Sequence, residues 1–413
     1  MAAVNESMRR SGIITRRFAL TGSLAAAATG SVRAQTRPLR IGVLNDRSGF
    51  YADSGGAGGV AAVQMAVRDF GSTVRGMPIE VLSADHQNKA DIASSIARKW
   101  FDVDGVDVIV DLPNSATALA VQQLGLERKK ITLVTGAAGT ALVDKQCSPT
   151  SVQWTYDSYA IAKASVAPVL AAGGDSWFFI TADYVGGIAI EDGVRQFVLA
   201  GGGKVLGAAR HPVGTSDYSS FILQASTSGA KVIAFASAGQ DMQNAVRQAR
   251  EFGLTVRGPQ TLVTAAAFLT DIHGLGLETA QGLRVPASFY WNLNDATRKW
   301  SARFFAEVKR MPTMLQAGDY SAVTHYLGAV RDAGTTDAMA VMATMRDKPV
   351  KDFMTAGGVI RADGHLMRDM FLFEVKAPSE SRSEWDVYKQ VGRLSASEAA
   401  LPLASSQCPY LKN

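Results

Sequence analysis

The 413-residue chain is short of the residues that usually carry catalysis: two cysteines, five histidines and only 19% charged residues. His86, His211, His273, His325 and His365 are scattered. None stands three to five residues from another or beside a cysteine, so the spacing of a metal site is missing. There is no G-x-x-x-x-G-K-[ST] phosphate loop, no G-x-S-x-G elbow and no H-E-x-x-H pair. These absences argue against a P-loop nucleotide hydrolase, an elbow-type α/β hydrolase and a zinc peptidase. A Ser-His-Asp set assembled in space has no local support either. After the first 34 residues no run of ~18 apolar residues occurs, so no later segment qualifies as a membrane-spanning helix.

A strong charge of one sign is also lacking once the chain is divided. The formal net charge is +5, but Arg9, Arg10, Arg16, Arg17 and Arg33 face only Glu6 within residues 1–34. The remainder is nearly neutral and offers no basic footprint for nucleic acid. The leader runs from a basic start through an apolar stretch, residues 18–30, to Val32-Arg33-Ala34. That order is an export signal, with cleavage after Ala34 and a periplasmic destination. Arg16-Arg17 before Phe18-Ala19-Leu20 resembles a twin-arginine signal. An oxidising compartment makes Cys147 and Cys408 a disulfide candidate that would staple the C-terminal tail to the middle of the chain. The alternative is two buried free thiols.

What is present is alternation. Strand-like runs at residues 39–44, 79–83, 106–112, 131–135, 176–181, 204–209, 231–236, 260–263 and 282–286 are separated by amphipathic stretches. Val60, Val63, Val67 and Phe70 share one helical face, as do Met242, Val246, Ala249 and Phe252. Several strand runs are continuously apolar, as parallel strands covered on both faces should be. The pattern restarts near residues 154–164, which implies an α/β chain of two doubly wound parallel-sheet lobes joined by crossover strands. Residues 297–310, 322–333 and 337–345 read as helices, and 357–376 as a hairpin turning at Asp363-Gly364.

One motif needs separate treatment. Gly56, Gly58 and Ala61 spell G-x-G-x-x-A, yet some ten residues separate Leu44 from Gly56. A dinucleotide turn follows its strand immediately. The intervening segment is polar and aromatic, with Asn45, Asp46, Arg47, Ser48, Phe50, Tyr51, Asp53 and Ser54. It reads as a binding loop that opens a helix, whose exposed N–H groups suit a carboxylate.

The stretches IGVLNDRSGFYADSGGAGGVAAVQMAV, ITLVTGAAGTALVD, ADYVGG and GGVIRADGHLMRDMFLFEVK, in order over residues 40–391, resemble the leucine/isoleucine/valine-binding-protein family. The resemblance implies a type I periplasmic binding protein with three hinge crossovers and a solute held between the lobes. The implied division is residues 1–34 as signal, 38–156 plus 286–360 as lobe one, 157–285 plus 361–395 as lobe two, and 396–413 as a tail. It further implies a non-catalytic receptor without cofactor, whose partners are a small solute and the permease and ATPase of an importer. A sensing subunit for a signalling receptor and a small-amide hydrolase are the alternatives.

Site residues follow from the same resemblance. The family's groups for ligand carboxylate and ammonium match Asn114, Ser115, Ala137, Gly139 and Thr140. Its first-loop aromatic falls on Ser54, with Tyr51 close by, and its lobe-two tyrosine on Tyr184. Two departures stand out: Ser237-Ala238-Gly239 replaces a tyrosine, and Thr264-Ala265-Ala266-Ala267 replaces the acid that pairs with the ligand's ammonium. A desolvated ammonium without a counter-charge costs several kcal/mol. An amino acid would therefore need Asp46, Asp157 or Asp241. The chain's own aromatics near the crossovers, Tyr156 beside Asp157 and Tyr290 among them, widen the expected ligand to an aromatic or apolar carboxylate or an amide.

Overall fold

The computed structural model describes residues 37–254 and 260–411. The expected export signal, residues 1–34, lies outside the described residues.

β1 (Leu39–Asn45), β2 (Thr73–Val74), β3 (Met77–Asp85), β4 (Val108–Asp111), β5 (Ile131–Val134) and β6 (Ser151–Gln153) build the first sheet. Its order is β2-β3-β1-β4-β5-β6, parallel apart from β2. β7 (Ser176–Ala182), β8 (Lys204–His211), β9 (Val232–Ala236), β10 (Thr261–Thr264) and β11 (Arg284–Ala287) begin the second. β12 (Val350–Lys351), β13 (Ala356–Ile360) and β14 (Leu366–Met367) form a small antiparallel sheet. β15 (Met370–Val375) and β16 (Tyr388–Leu394) then complete the second sheet, in the order β16-β15-β11-β10-β9-β7-β8.

Helices fill the connections: α1 (Gly56–Phe70), α2 (Ala90–Asp102) and α3 (Ser115–Arg128) in the first lobe, and α4 (Ser158–Ala171), α5 (Val185–Ala200), α6 (Ser219–Thr227) and α7 (Gly239–Glu251) in the second. α8 (Leu269–Leu275) and α9 (Leu277–Ala280) follow β10, and α10 (Asp295–Val308), α11 (Met314–Ala333) and α12 (Ala338–Asp347) follow β11. Strand residues such as Ile41, Val43, Val108 and Val110 are fully buried because α11 and its neighbours cover one face of the first sheet and α2 and α3 the other. Trp154, Tyr326 and Met342 anchor one core, and Trp177, Phe179 and Phe235 another. The buried Trp154 indole donates to Ser321 Oγ at 2.9 Å, so its N–H is satisfied.

The chain passes between the sheets three times: after β6 at residues 154–157, after β11 at 288–294, and at Arg368-Asp369 between β14 and β15. That last passage divides the hairpin expected over 357–376. β13 and β14 do pair around the Asp363-Gly364 turn, but β15 belongs to the other sheet. Periodicity cannot show this, because a strand that changes sheets keeps its alternation. α11 starts eight residues before the expected Ala322. Its first turns are buried on nearly all sides, so no polar face marks them, and a capping box between Thr313 and Gln316 sets the start. Cys147 and Cys408 are bonded, with Cα atoms 5.5 Å apart, which returns the tail beyond β16 to the lobe-one loop.

Candidate functional site

Sheet order fixes where a site forms. β1 lies between β3 and β4, and β7 between β8 and β9. Consecutive connections therefore leave toward opposite sides at these two points, opening a crevice at the strands' carboxyl ends. The loop after β1 and the start of α3 follow the strands of the first point, and the starts of α5 and α7 those of the second.

On lobe one the loop is built around Asp46, whose carboxylate accepts the N–H groups of Gly49 (2.8 Å) and Tyr51 (3.0 Å). Ser54 is buried. Its hydroxyl donates to Tyr51 O at 3.3 Å, and its carbonyl accepts from Thr313 Oγ1. Asn114 caps α3, its Oδ1 accepting from the N–H of Ala116 at 2.8 Å and of Thr117 at 3.2 Å. Ser115 Oγ accepts the Gly139 N–H at 3.0 Å, joining the β4 and β5 loops. Gln153 Nε2 donates to the carbonyls of Ala137 (2.9 Å) and Gly139 (3.3 Å), and Tyr156 OH to that of Gly136 (2.7 Å). Thr140 Oγ1 shares a hydrogen bond with Ser158 Oγ at 2.7 Å. Asp157 caps α4 through the Ala160 N–H at 2.7 Å, and its other oxygen lies 3.5 Å from His365 Nδ1. Burial pushes its carboxyl above the usual range.

Tyr184 enters from lobe two as the residue before α5 and keeps 42% of its surface exposed. Tyr51 lies close enough to feel Tyr184 and to perturb Tyr156. Burial raises Tyr51 to about 12, helped by the charges of Tyr184 and Asp46. Burial also raises Tyr156, with Tyr51 and Asp111 adding to it, and raises Tyr184, with Asp241 adding. All three phenols stay neutral donors at physiological pH. Tyr290 is placed elsewhere: it is 3% exposed in a ring cluster with Phe373 and Tyr388, and its hydroxyl donates to Trp385 O at 3.2 Å. Among the acids named above, Asp46 and Asp157 are engaged in their own loops. Asp241 accepts the Gly214 N–H at 3.1 Å and lies close enough to Tyr184 to perturb it.

Behind the loops sit Ser237, read from the sequence only as standing where a tyrosine is replaced, and two acids that sequence reasoning missed, Asp111 and Asp319. Ser237, at the carboxyl end of β9, has a buried hydroxyl without a hydrogen-bond partner. Asp111 and Asp319 are buried together: a Cβ on Gly59 would lie 2.6 Å from Asp111 Oδ2 and 2.8 Å from Asp319 Oδ2. Gly59 thus packs against two carboxyls, and the motif's Gly58 packs against Gln316, whose Nε2 would lie 2.3 Å from a Cβ there. Asn45 Nδ2 donates to Asp111 at 2.8 Å and Thr135 Oγ1 to Asp319. Asp111 and Leu112 both take positive φ, 87° and 57°, which turns the chain sharply toward Asn114 and Ser115. No local signal marks Asp319, which reaches the pair from α11. Among the described residues no group of three or more His, Cys, Asp or Glu could hold a metal ion, and no helix is long and apolar enough to cross a membrane.

Comparison with known proteins agrees with this architecture. Residues 38–382 match the family profile described as periplasmic binding protein. A periplasmic binding protein from Burkholderia mallei is 47% identical, with a TM-score of 0.84 over 91% of this chain and 99% of that one. A branched chain amino acid ABC transporter periplasmic ligand-binding protein from Burkholderia xenovorans LB400 is 41% identical, with a TM-score of 0.86 over 91% of this chain and 100% of that one. The Leu/Ile/Val-binding protein homolog 6 of Brucella melitensis biotype 1 is 25% identical over 298 residues, 71% of this chain and 74% of the relative. The two lobes, the crevice between their strand ends and these similarities together place the chain in the periplasmic binding protein family.

Proposed function

We propose that the chain is the exported solute receptor of an ABC importer, and that its ligand is a small carboxylate with an apolar or aromatic body. The observation that carries the ligand class is the set of helix starts. α1, α3, α5 and α7 all begin at the two switch points, and the first turns of α1, α3 and α5 contain no acidic residue. Helix N-termini favour an anion, and the three tyrosines supply neutral donors and ring surface. The function of the Burkholderia xenovorans relative supports the importer assignment. Ligand closes the crevice by stabilising a closed state, which then docks on the permease.

The test is a thermal-shift and calorimetric panel on the chain from Gln35, with L-leucine, 4-hydroxybenzoate, short aliphatic acids and their amides. A ligand at about 100 times its Kd adds roughly 2.7 kcal/mol of stability. Carboxylates without an amine should shift the melt, and the matching amides should not. Equal shifts with both would remove the anion argument. Should leucine bind, Asp241 is the acid placed to meet its ammonium. Asp241→Asn would then lose leucine binding and keep that of 4-hydroxybenzoate.

Tyr184→Ala should weaken binding of whichever panel member responds by roughly 10- to 100-fold, about 1.4–2.7 kcal/mol. The melting temperature without ligand should stay unchanged, because the side chain is 42% exposed. Unaltered affinity would take Tyr184 out of the site.

A further inference from the structure

Phe50 is a large apolar residue in an odd place. It stands on the lobe-one loop with 46% of its surface exposed, edge-on to Tyr51 with ring centroids 4.8 Å apart. Its ring also reaches the other lobe. A Cβ placed on Gly239, the first residue of α7, would lie 2.3 Å from Phe50 Cε2 and 2.9 Å from Cζ. The ring therefore rests directly on the bare backbone of Gly239, whose φ of +54° is itself a conformation that side chains disfavour. The contact joins the loop after β1 to the helix after β9, the two elements that must separate when the crevice opens.

We propose that Phe50 is a latch of the closed crevice, with Gly239 as its seat, and that it sets how long a bound solute is retained. The proposal rests on the solute-receptor reading for its function and on the Phe50–Gly239 contact for its geometry. In the closed state the ring covers the start of α7 beside Tyr51. Any side chain at 239 would occupy the volume of the ring and hold the lobes apart. The latch acts on closure, so its loss accelerates release and leaves arrival of the solute nearly unaltered.

Two measurements decide it. In the first, p-benzoylphenylalanine replaces Phe50 in the otherwise complete chain, which is irradiated and digested with trypsin. The expected product joins the peptide of residues 48–68 to that of residues 232–247, which carries Gly239. Cross-links confined to lobe-one peptides would overturn the proposal. In the second, release of L-leucine and of 4-hydroxybenzoate is timed for Phe50→Ala, Phe50→Tyr, Gly239→Ala and the Phe50→Ala/Gly239→Ala double variant. Phe50→Ala should speed release about tenfold with arrival within about threefold, and Phe50→Tyr should restore the wild-type rate. Gly239→Ala carries the cost of its backbone conformation in both backgrounds, so the cycle isolates the contact. Its effect should be larger in the presence of Phe50 than in its absence, and equal effects would sink the latch. If neither probe binds, the solute reading fails while the cross-link still decides the contact.

Discussion

Replacing Asp319 by asparagine should make the protein more stable at pH 8 and leave it little altered at pH 4. Asp111 and Asp319 are both fully buried, and each has one oxygen without a hydrogen-bond partner. Burial is the main force on Asp111 and pushes its carboxyl up to about 7, against the opposing hydrogen bond from Asn45 and the charge of Arg47. Asp319 is raised well above the usual range by burial and by the charge of Asp111. Two carboxyls so close cannot both ionise cheaply, so the folded pair holds a proton that the unfolded chain has released. A raised acid in the folded state means that stability falls as pH rises above about 4, a fall that ends near pH 7 for Asp111 and continues for Asp319 until its own raised carboxyl ionises. The slope is at most about 1.4 kcal/mol per pH unit for each proton held. Asparagine keeps the shape, can still accept from Thr135, and turns an N–H toward Asp111. The variant should therefore gain on the order of 2–4 kcal/mol over the wild type at pH 8, a gain that shrinks to near zero by pH 4. Denaturant midpoints across that range read the difference directly. Taking the difference between the two proteins removes the opposite contribution of buried histidines such as His86 and His365, whose imidazoles burial pushes down. A difference that is constant with pH would mean that the pair carries no extra proton in the folded state.

The carboxyl pair also shows where sequence reasoning stops. The sheets were legible because their strands are continuous apolar runs between helical periods, and the restart near residue 154 coincides with the first passage into the second sheet. Tyr184 and Ser115 were singled out through the family resemblance, and in the structure they stand at the starts of α5 and α3, just after β7 and β4. Gly59 was not legible. Its glycine answers to a carboxyl arriving from residue 319, a pairing with no trace in local spacing. Tyr290 illustrates the converse, since SFYWN carries three adjacent aromatics and nothing in that string says which of them a lobe core will take up. The split of residues 357–376 between two sheets is likewise a tertiary decision, made at Arg368, a buried guanidinium that donates to Thr355 Oγ1.

Removing the disulfide should have the other large effect. The bond closes a loop of 261 residues between Cys147 and Cys408. In the chain-entropy account a loop of that size restrains the unfolded state by about 5.6 kcal/mol, and native disulfides usually deliver about 2–5 kcal/mol. The folded state gives the tail little else to hold it. Residues 400–411 are mostly exposed short turns, tied to lobe one by the Asp144 carboxylate, which accepts from Ser406 Oγ and the Gln407 N–H, and by Arg361 donating to Leu401 O at 2.7 Å. The double variant Cys147→Ser/Cys408→Ser should therefore lose roughly 3–5 kcal/mol of unfolding free energy, about 5 °C in Tm for a chain of this size. It should also become cleavable near residue 400 before either lobe unfolds. The wild type in reductant should behave in the same way, which separates loss of the bond from any effect of the serines. Because the tail leaves β16 of the second sheet and ends on the loop after β5 of the first, the bond is also a fourth covalent link between the lobes, beyond the three crossovers. A melt and a proteolysis pattern unaltered by reduction would show that the turns of the tail and their few hydrogen bonds hold it unaided. The tail would then be a packed element of lobe one and not a tethered strap.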